Sequence, residues 1–388
     1  MTAPKPAPRI LVISAFRWVS PAQAARVFQE AGAEVAVVCP PGHALEKLPL
    51  LAGVHHYSTF RPLESLRAAI TAAAPDLLVP CDDLIASQLH KLHQSEAQNS
   101  SLKDVIVRSL GPAGNFPLVY SRVGLARLAD ELGVATPRNE QLPDREALQG
   151  ALQRCGLPAV LKIDGSFGGR GVTILRTEAE AGPAFARLAA WPGWPRAIKH
   201  LLVNRDAALV RRMLSRVPNT LSLQRHVEGR LANAAVACWQ GKVLAQVQVE
   251  VLKTDTPTGP ATLVQVISHS GMASTVEKMV QRLNLSGLCG FDFILSAADG
   301  SAQFIELNPR ATPTCHLVTA DGQSLSRVLC AALRGDQTPP ALLVPDLGPQ
   351  ILFPRTRRRS LRAARNTKKQ KALAAALAEL APADPGQQ

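Results

Sequence analysis

The front of the chain alternates short apolar runs with helical stretches, a pattern that few architectures satisfy. Arg9–Ser14 (RILVIS), Glu34–Cys39 (EVAVVC) and Asp76–Cys81 (DLLVPC) read as buried strands, since polar positions are almost absent from their centres. Helices are predicted over Ser20–Ala31, opened by Ser-Pro, over Leu63–Ala74, and from Asp82 onward. Strands separated by helices pair in parallel through crossovers, which makes residues 1–115 a Rossmann-like α/β domain. The turn after the first strand, Ser14-Ala15-Phe16-Arg17-Trp18, lacks G-x-G-x-x-G. A dinucleotide pyrophosphate has no glycine cradle there, and a nicotinamide enzyme is not expected.

Gly111–Pro117 marks a boundary, followed by a helix over Ser121–Leu132 closed by Gly133. Beyond residue 158 the texture changes to strands joined by short turns: Ala159–Ile163, Val172–Leu175, Leu221–His226, Ala234–Trp239, Val243–Val251, Phe291–Leu295 and Ala302–Leu307. This is an α+β region with antiparallel pairs, assigned to residues 116–340 with a glycine-flap subdomain over about 158–225. Residues 341–388 form a basic, alanine-rich tail.

Of the formal net charge of +13, the stretch from Ile351 holds nine Lys or Arg against two acidic residues. The rest of the chain is only modestly basic, which suits an anionic substrate without demanding nucleic acid. At 4% aromatic content there is little for a base-stacking platform, so contact with RNA or another polyanion is reserved for the tail. No apolar run reaches a membrane span, and the seven scattered cysteines read as reduced thiols in a cytoplasm. His90 with His93 and His55 with His56 lack a nearby third ligand for zinc. A homodimer is one assembly left open.

Gly290–Arg310 (GFDFILSAADGSAQFIELNPR) places two apolar strands around an Asp-Gly turn. Glu306 and Asn308 then project to one side. Asp292 joins them if the loop has an odd number of residues centred on Asp299; a two-residue loop would turn it away. Two carboxylates and a carboxamide make an all-oxygen set suited to Mg²⁺. Arg310 is placed to hold an anionic oxygen. Upstream, Lys162 lies within the apolar strand Ala159–Ile163, followed by Gly165, Gly168, Gly169 and Gly171. A lysine so placed points at solvent or at an anion, and the glycines read equally as a flexible hairpin or a phosphate flap. Gln224 and the extended backbone at His226 and Val227 suit an adenine edge; otherwise they are an ordinary strand ending at Gly229.

In this order, the lysine strand, glycine flap, Q-x-x-x-E-G strand and D-x13-E-x-N-P-R hairpin resemble the ATP-grasp superfamily over roughly residues 1–335. The likeness is to carboxylate–amine ligases with the carbamoyl-phosphate-synthetase or biotin-carboxylase type of module. It implies a Rossmann-like pre-ATP-grasp domain followed by an ATP-grasp fold. It further implies that Lys162 and Arg122 contact ATP phosphates, that Gly168, Gly169 and Gly171 close over them, and that Gln224 and Val227 hold adenine. Asp292, Glu306 and Asn308 would ligate one or two Mg²⁺ ions, with Mn²⁺ as the alternative, and Arg310 would steady the reacting group. Gln224 stands where glutamate is more usual, and Asn233 is the nearest polar substitute for an acidic ribose ligand. The implied activity is ATP-dependent activation of a small carboxylate as an acylphosphate for attack by an amine or thiol, releasing ADP and phosphate. The other reading is a non-catalytic ATP sensor or scaffold whose tail contacts RNA or a protein partner.

Overall fold

The structure, a computed structural model, describes residues 5–163, 171–190, 210, 219–255, 259–342 and 348–352. Its first sheet is parallel. β1 (Arg9–Ile13) lies between β2 (Glu34–Cys39) and β4 (Leu77–Pro80), with β3 (Gly53–His56) outside β2. The half-exposed β3 has no apolar run, because an edge strand buries only part of its surface, and so it is absent from the expected strands. α1 (Ser20–Glu30) covers one face; α2 (Pro62–Ala73), α3 (Asp83–Ser95) and α4 (Ser101–Leu110) cover the other.

Asp82 fixes the point where chain order reverses between β1 and β4. Its Oδ1 accepts from the Ile85 N–H at 2.9 Å, capping α3. Its Oδ2 accepts from the Ala15 N–H at 2.7 Å and the Ser14 hydroxyl at 3.1 Å, tying down the turn after β1.

A connector with α5 (Phe116–Val119) and α6 (Arg122–Glu131) leads on. Ser121 Oγ accepts from the Gly124 N–H at 3.0 Å and sets the start of α6, which puts Arg122 in its first turn. The second sheet is antiparallel. It comprises β5 (Asn139–Leu142), β6 (Ala159–Ile163), β7 (Val172–Leu175) and β8 (Leu221–Arg225), in the order β5-β8-β6-β7. One face packs Leu142, Leu161, Leu175 and Leu223 against α7 (Ala147–Cys155) and α8 (Glu178–Ala189). Because side chains alternate, Asn139, Val160, Lys162, Ser222, Gln224 and Ile174 share the opposite face.

The third sheet has six strands: β9 (Gly229–Trp239), β10 (Lys242–Thr254), β11 (Ala261–Ile267), β12 (Gly287–Ser296), β13 (Ala302–Asn308) and β14 (Gln350–Ile351). Their order is β13-β12-β9-β10-β11-β14. β9 and β10 run past their apolar centres, so they exceed the expected strands. One face buries Phe291, Phe293 and Phe304 under α6 and α9 (Ser270–Leu283), each ring contributing about 2–3 kcal/mol by burial. The other face merges with the first sheet through α1 and α10 (Leu325–Arg334) in one core, which also takes in Leu352 at 2% exposure. The tail beyond Leu352, with its basic run, lies outside the described residues.

Two glycines mark close approaches. A Cβ on Gly229 would sit 2.1 Å from Leu295 O, which explains the glycine after Glu228 where β9 enters beside β12. A Cβ on Gly290 would meet Thr312 Cγ2 at 2.2 Å, so the loop after β13 crosses the sheet directly over it.

Candidate active site

Asp292 lies opposite Glu306, and Gly290 opposite Asn308, so the three oxygen-bearing side chains share one face. The route to that register differs from the expected one. The loop is Ala297–Gly300, an even number of residues, closed by Ser296 N–H to Ser301 O at 2.9 Å and Gly300 N–H to Ser296 O at 2.8 Å. Continued regularly, that loop would drive Glu306 into the phenylalanine core. A bulge at Ile305 prevents this: Phe293 pairs with Phe304 but Asp292 with Glu306, leaving Ile305 unpaired and restoring the parity. The odd loop centred on Asp299 is thus corrected to an even loop plus a bulge.

Arg122 joins the two antiparallel sheets. Its Nε and Nη2 lie 2.9 and 2.8 Å from Glu306 Oε2, and its Nη1 donates to the Ile163 carbonyl at 2.5 Å. This brings the end of β6 over the acidic hairpin. Lys162, 7% exposed, donates from Nζ to Gln224 Oε1 at 2.6 Å. The Gln224 amide orients the ammonium through this contact without neutralising it. Asn308 Nδ2 donates to Asp292 Oδ2 at 3.1 Å, and Arg310 Nη2 donates to Asn308 Oδ1 at 3.0 Å.

The electrostatics are lopsided. Desolvation in the cleft, and then the neighbouring Glu306 charge, push Asp292 up to about 7. For Glu306 desolvation acts in the same sense, but the Arg122 and Lys162 charges outweigh it and hold the carboxyl below its usual range. Two carboxylates crowded together, one of them half-neutralised by protonation near pH 7, fit a hard dication. No group of three or more His, Cys, Asp or Glu among the described residues could hold a metal. A cation here would therefore lean on Asn308 and on oxygens from outside the protein.

The other expected residues fall as follows. Asn233 is paired with Asp292 across β9 and accepts from Thr314 Oγ1 at 3.3 Å, which places it with the oxygen set. Val227 lies in the crossing from β8 to β9, and its N–H has no hydrogen-bond partner among the described residues. Gly171 has φ +89°, a value that glycine adopts freely, and its carbonyl accepts from the Ile163 N–H at 2.9 Å. Gly168 and Gly169 lie outside the described residues.

Several further groups lie beside the expected residues although the sequence does not single them out. Val160 and Ile174 on the second sheet, and Leu231 and Ile294 on the third, are half-buried or exposed apolar side chains on the faces that carry Lys162 and Asp292. They can supply two apolar walls. At the β1/β4 switch point, Phe16, Trp18, Ser20, Asp82, Asp83 and Arg310 line a second hollow. Arg310 Nε lies 3.0 Å from Asp83 Oδ2, so this hollow abuts the hairpin through one guanidinium. Crevices at such switch points are where open α/β sheets bind ligands.

No protein-family profile matches the chain. It is 27% identical over 294 residues to the formate-dependent phosphoribosylglycinamide formyltransferase of Burkholderia cenocepacia, covering 72% of this chain and 65% of that protein. Across the curated relatives matched, the chain spans from about a third to two thirds of their length. Among solved structures, a biotin carboxylase β-γ-ATP complex from Campylobacter jejuni superposes with TM-score 0.62 at 14% identity, covering 86% of this chain and 72% of the other. N5-carboxyaminoimidazole ribonucleotide synthetase from Thermus thermophilus superposes with TM-score 0.59 at 17% identity, covering 85% and 79%.

Proposed function

The chain has the ATP-grasp fold, and we propose that it is an ATP-dependent ligase joining a small carboxylate to an amine. The observation that carries this reading is the Arg122 bridge, which holds the Lys162 strand over the Asp292–Glu306–Asn308 face. The relative's printed activity, a formate-dependent formyl transfer to a glycinamide, supports the same class of reaction. The biotin carboxylase solved as a β-γ-ATP complex supports the nucleotide.

In the mechanism, a carboxylate oxygen attacks the γ-phosphorus of ATP. The bond to the bridging oxygen breaks, and ADP leaves an acylphosphate. The amine then attacks the acyl carbon, the carbon–oxygen bond to phosphate breaks, and the amine loses a proton. Such transfers ask the protein for alignment and charge compensation more than for covalent help. Lys162 and Arg122 offset phosphate charge from above and beside the hairpin. Arg310 holds the acyl or phosphoryl oxygens at the border with the switch-point hollow, from which the amine approaches. Asp292, Glu306 and Asn308 would hold Mg²⁺, which would supply charge neutralisation to the phosphate groups. The Val160/Ile174 and Leu231/Ile294 walls take the faces of the base. The buried free thiols of all seven cysteines suit a reducing cytoplasm, and no helix among the described residues is long and apolar enough to cross a membrane.

ADP release should require Mg²⁺, a carboxylate and an amine together. Glu306→Gln should lower it by about 100-fold or more, as for loss of a key charge-stabilising group. Undiminished turnover in that variant would overturn the assignment. Tight ATP binding without turnover across a broad substrate panel would favour a sensor instead.

A further inference from the structure

The turn after β1 borders the switch-point hollow, and its backbone donors are already committed. Ala15 N–H donates to Asp82 Oδ2 at 2.7 Å, Phe16 N–H to Ser14 Oγ at 3.4 Å and Trp18 N–H to Phe16 O at 3.0 Å. Leu45 N–H donates to His43 Nδ1 at 2.9 Å, which leaves His43 Nε2 to donate to the Phe16 carbonyl at 3.0 Å and pin the turn. α1 begins next, and a helix start ordinarily offers N–H groups to an anion. Here Pro21 has no N–H, and the Ala22 and Gln23 amides both donate to Val19 O, at 2.9 and 3.3 Å. Arg17 donates to Pro41 O at 2.5 Å instead of lining the hollow.

The charges that face the hollow are mainly acidic. Asp82 and Asp83 both line it, and the Asp83 side chain keeps 23% of its surface exposed. Arg310 is the one cation lining it among the described residues. Its guanidinium is held by Asp83 at 3.0 Å, by Asn308 Oδ1 at 3.0 Å and by Ala311 O at 3.3 Å. A phosphate dianion entering here would meet two carboxylates and, among the described residues, no uncommitted cation. The rest of the lining is largely apolar. Phe16 and Trp18 stand with ring centroids 6.3 Å apart at 47°, Pro313 lies with them, and Trp18 is 37% exposed. Aromatic faces beside a carboxylate favour an ammonium and the apolar body that carries it.

We propose that the second substrate is a phosphate-free amine on an apolar or aromatic body. Its ammonium pairs with Asp83 on arrival, and its body lies against Trp18 and Phe16. Its class differs from the phosphoribosylglycinamide in the name of the Burkholderia cenocepacia relative. Asp83 and Trp18 are then the residues that set specificity for the acceptor. The inference rests on the reading of this hollow as the amine's approach but not on turnover, because it concerns binding alone.

The test uses tyramine as the probe, an ammonium on an aromatic body. Its dissociation constant is measured calorimetrically on the full chain with Mg²⁺ and ATP, beside those of O-phosphotyramine, which adds a phosphate, and 4-ethylphenol, which lacks only the amino group. The wild type should bind tyramine about tenfold or more tightly than either analogue. Asp83→Asn should bind tyramine and 4-ethylphenol within about threefold of each other. Trp18→Ala should weaken both by about tenfold and leave their ratio near the wild-type value. Each ratio is taken within one protein, so reduced stability of a variant does not hide the result. O-phosphotyramine bound as tightly as tyramine overturns the proposal, as does an Asp83→Asn protein with the wild-type ratio, or a wild type that binds no tyramine at millimolar levels. Any of these would leave the ligase reading standing, whereas undiminished turnover in Glu306→Gln would defeat that reading and not this one.

Discussion

Asp292 and Glu306 stand side by side on one face yet are shifted in opposite directions: burial and the Glu306 charge raise Asp292, whereas for Glu306 the Arg122 and Lys162 charges outweigh burial. The consequence is a defined pH dependence. Asp292 is raised from 3.8 to about 7, so the folded protein holds a proton there that the unfolded chain releases. Its favourable contribution is complete below about pH 3.8 and is lost as pH climbs through 7. Asp82, raised by burial to about 6, acts in the same sense. Glu306, being lowered, contributes oppositely, but only as pH falls below its ordinary 4.5. Without ligand, the midpoint of thermal unfolding should therefore fall between about pH 5 and pH 8. Asp292→Asn should flatten that slope and, at about pH 8, raise the midpoint by about 1–3 °C while losing Mg²⁺-dependent stabilisation by ATP. An unchanged slope would show that the carboxyl is not raised. These residues are legible in the sequence because charges inside apolar strands are costly without a partner. Asn139 is not: a single asparagine at the start of a short polar strand looks like any turn residue until its lack of partners among the described residues is seen.

At the scale of elements, the acidic hairpin is legible as a hairpin but not in its parity. An Asp-Gly pair announces a turn, whereas the length of the loop around Ala298 and the bulge at Ile305 are settled by packing of Phe291, Phe293 and Phe304 on the far face. Short, polar β3 and β5 escape a sequence reading because their stability comes from their neighbours rather than from their own pattern. Gly290 shows what the hairpin demands of its surroundings. Thr312 sits over it, hydrogen-bonded to Thr314 at 3.2 Å, which in turn donates to Asn233. Gly290→Ala should cost about 1–3 kcal/mol in chemical denaturation by forcing Thr312 aside, and should lower turnover by disturbing the loop that carries Arg310. The double variant Gly290→Ala/Thr312→Ala should recover most of the stability, since the clashing methyl is gone. Failure of that rescue would place the strain elsewhere.

Across the whole molecule, three sheets converge on the hairpin, and each supplies a different function. The second sheet brings Lys162 through the Arg122 bridge, and the third provides the oxygen set. The first docks its switch point through Ala311 N–H to Pro80 O at 2.9 Å and through the Arg310–Asp83 pair. The alternation of strands and helices discloses the first sheet, but no local pattern could disclose that Asp83, so far ahead of Arg310 in the chain, would face it. If the amine enters at the switch point, Asp83 serves two cations in turn, Arg310 at rest and the incoming ammonium as it arrives. Asp83→Asn keeps the shape and removes the charge, so KM for the amine should rise about tenfold while KM for ATP, which the proposed site puts beyond Arg310, changes by less than about twofold. A purely structural ion pair would instead disturb both constants or only the melting temperature. Steady-state titration of each substrate at saturating levels of the others separates these outcomes: an equal rise in both KM values would mean that the switch-point hollow is not the amine's entrance.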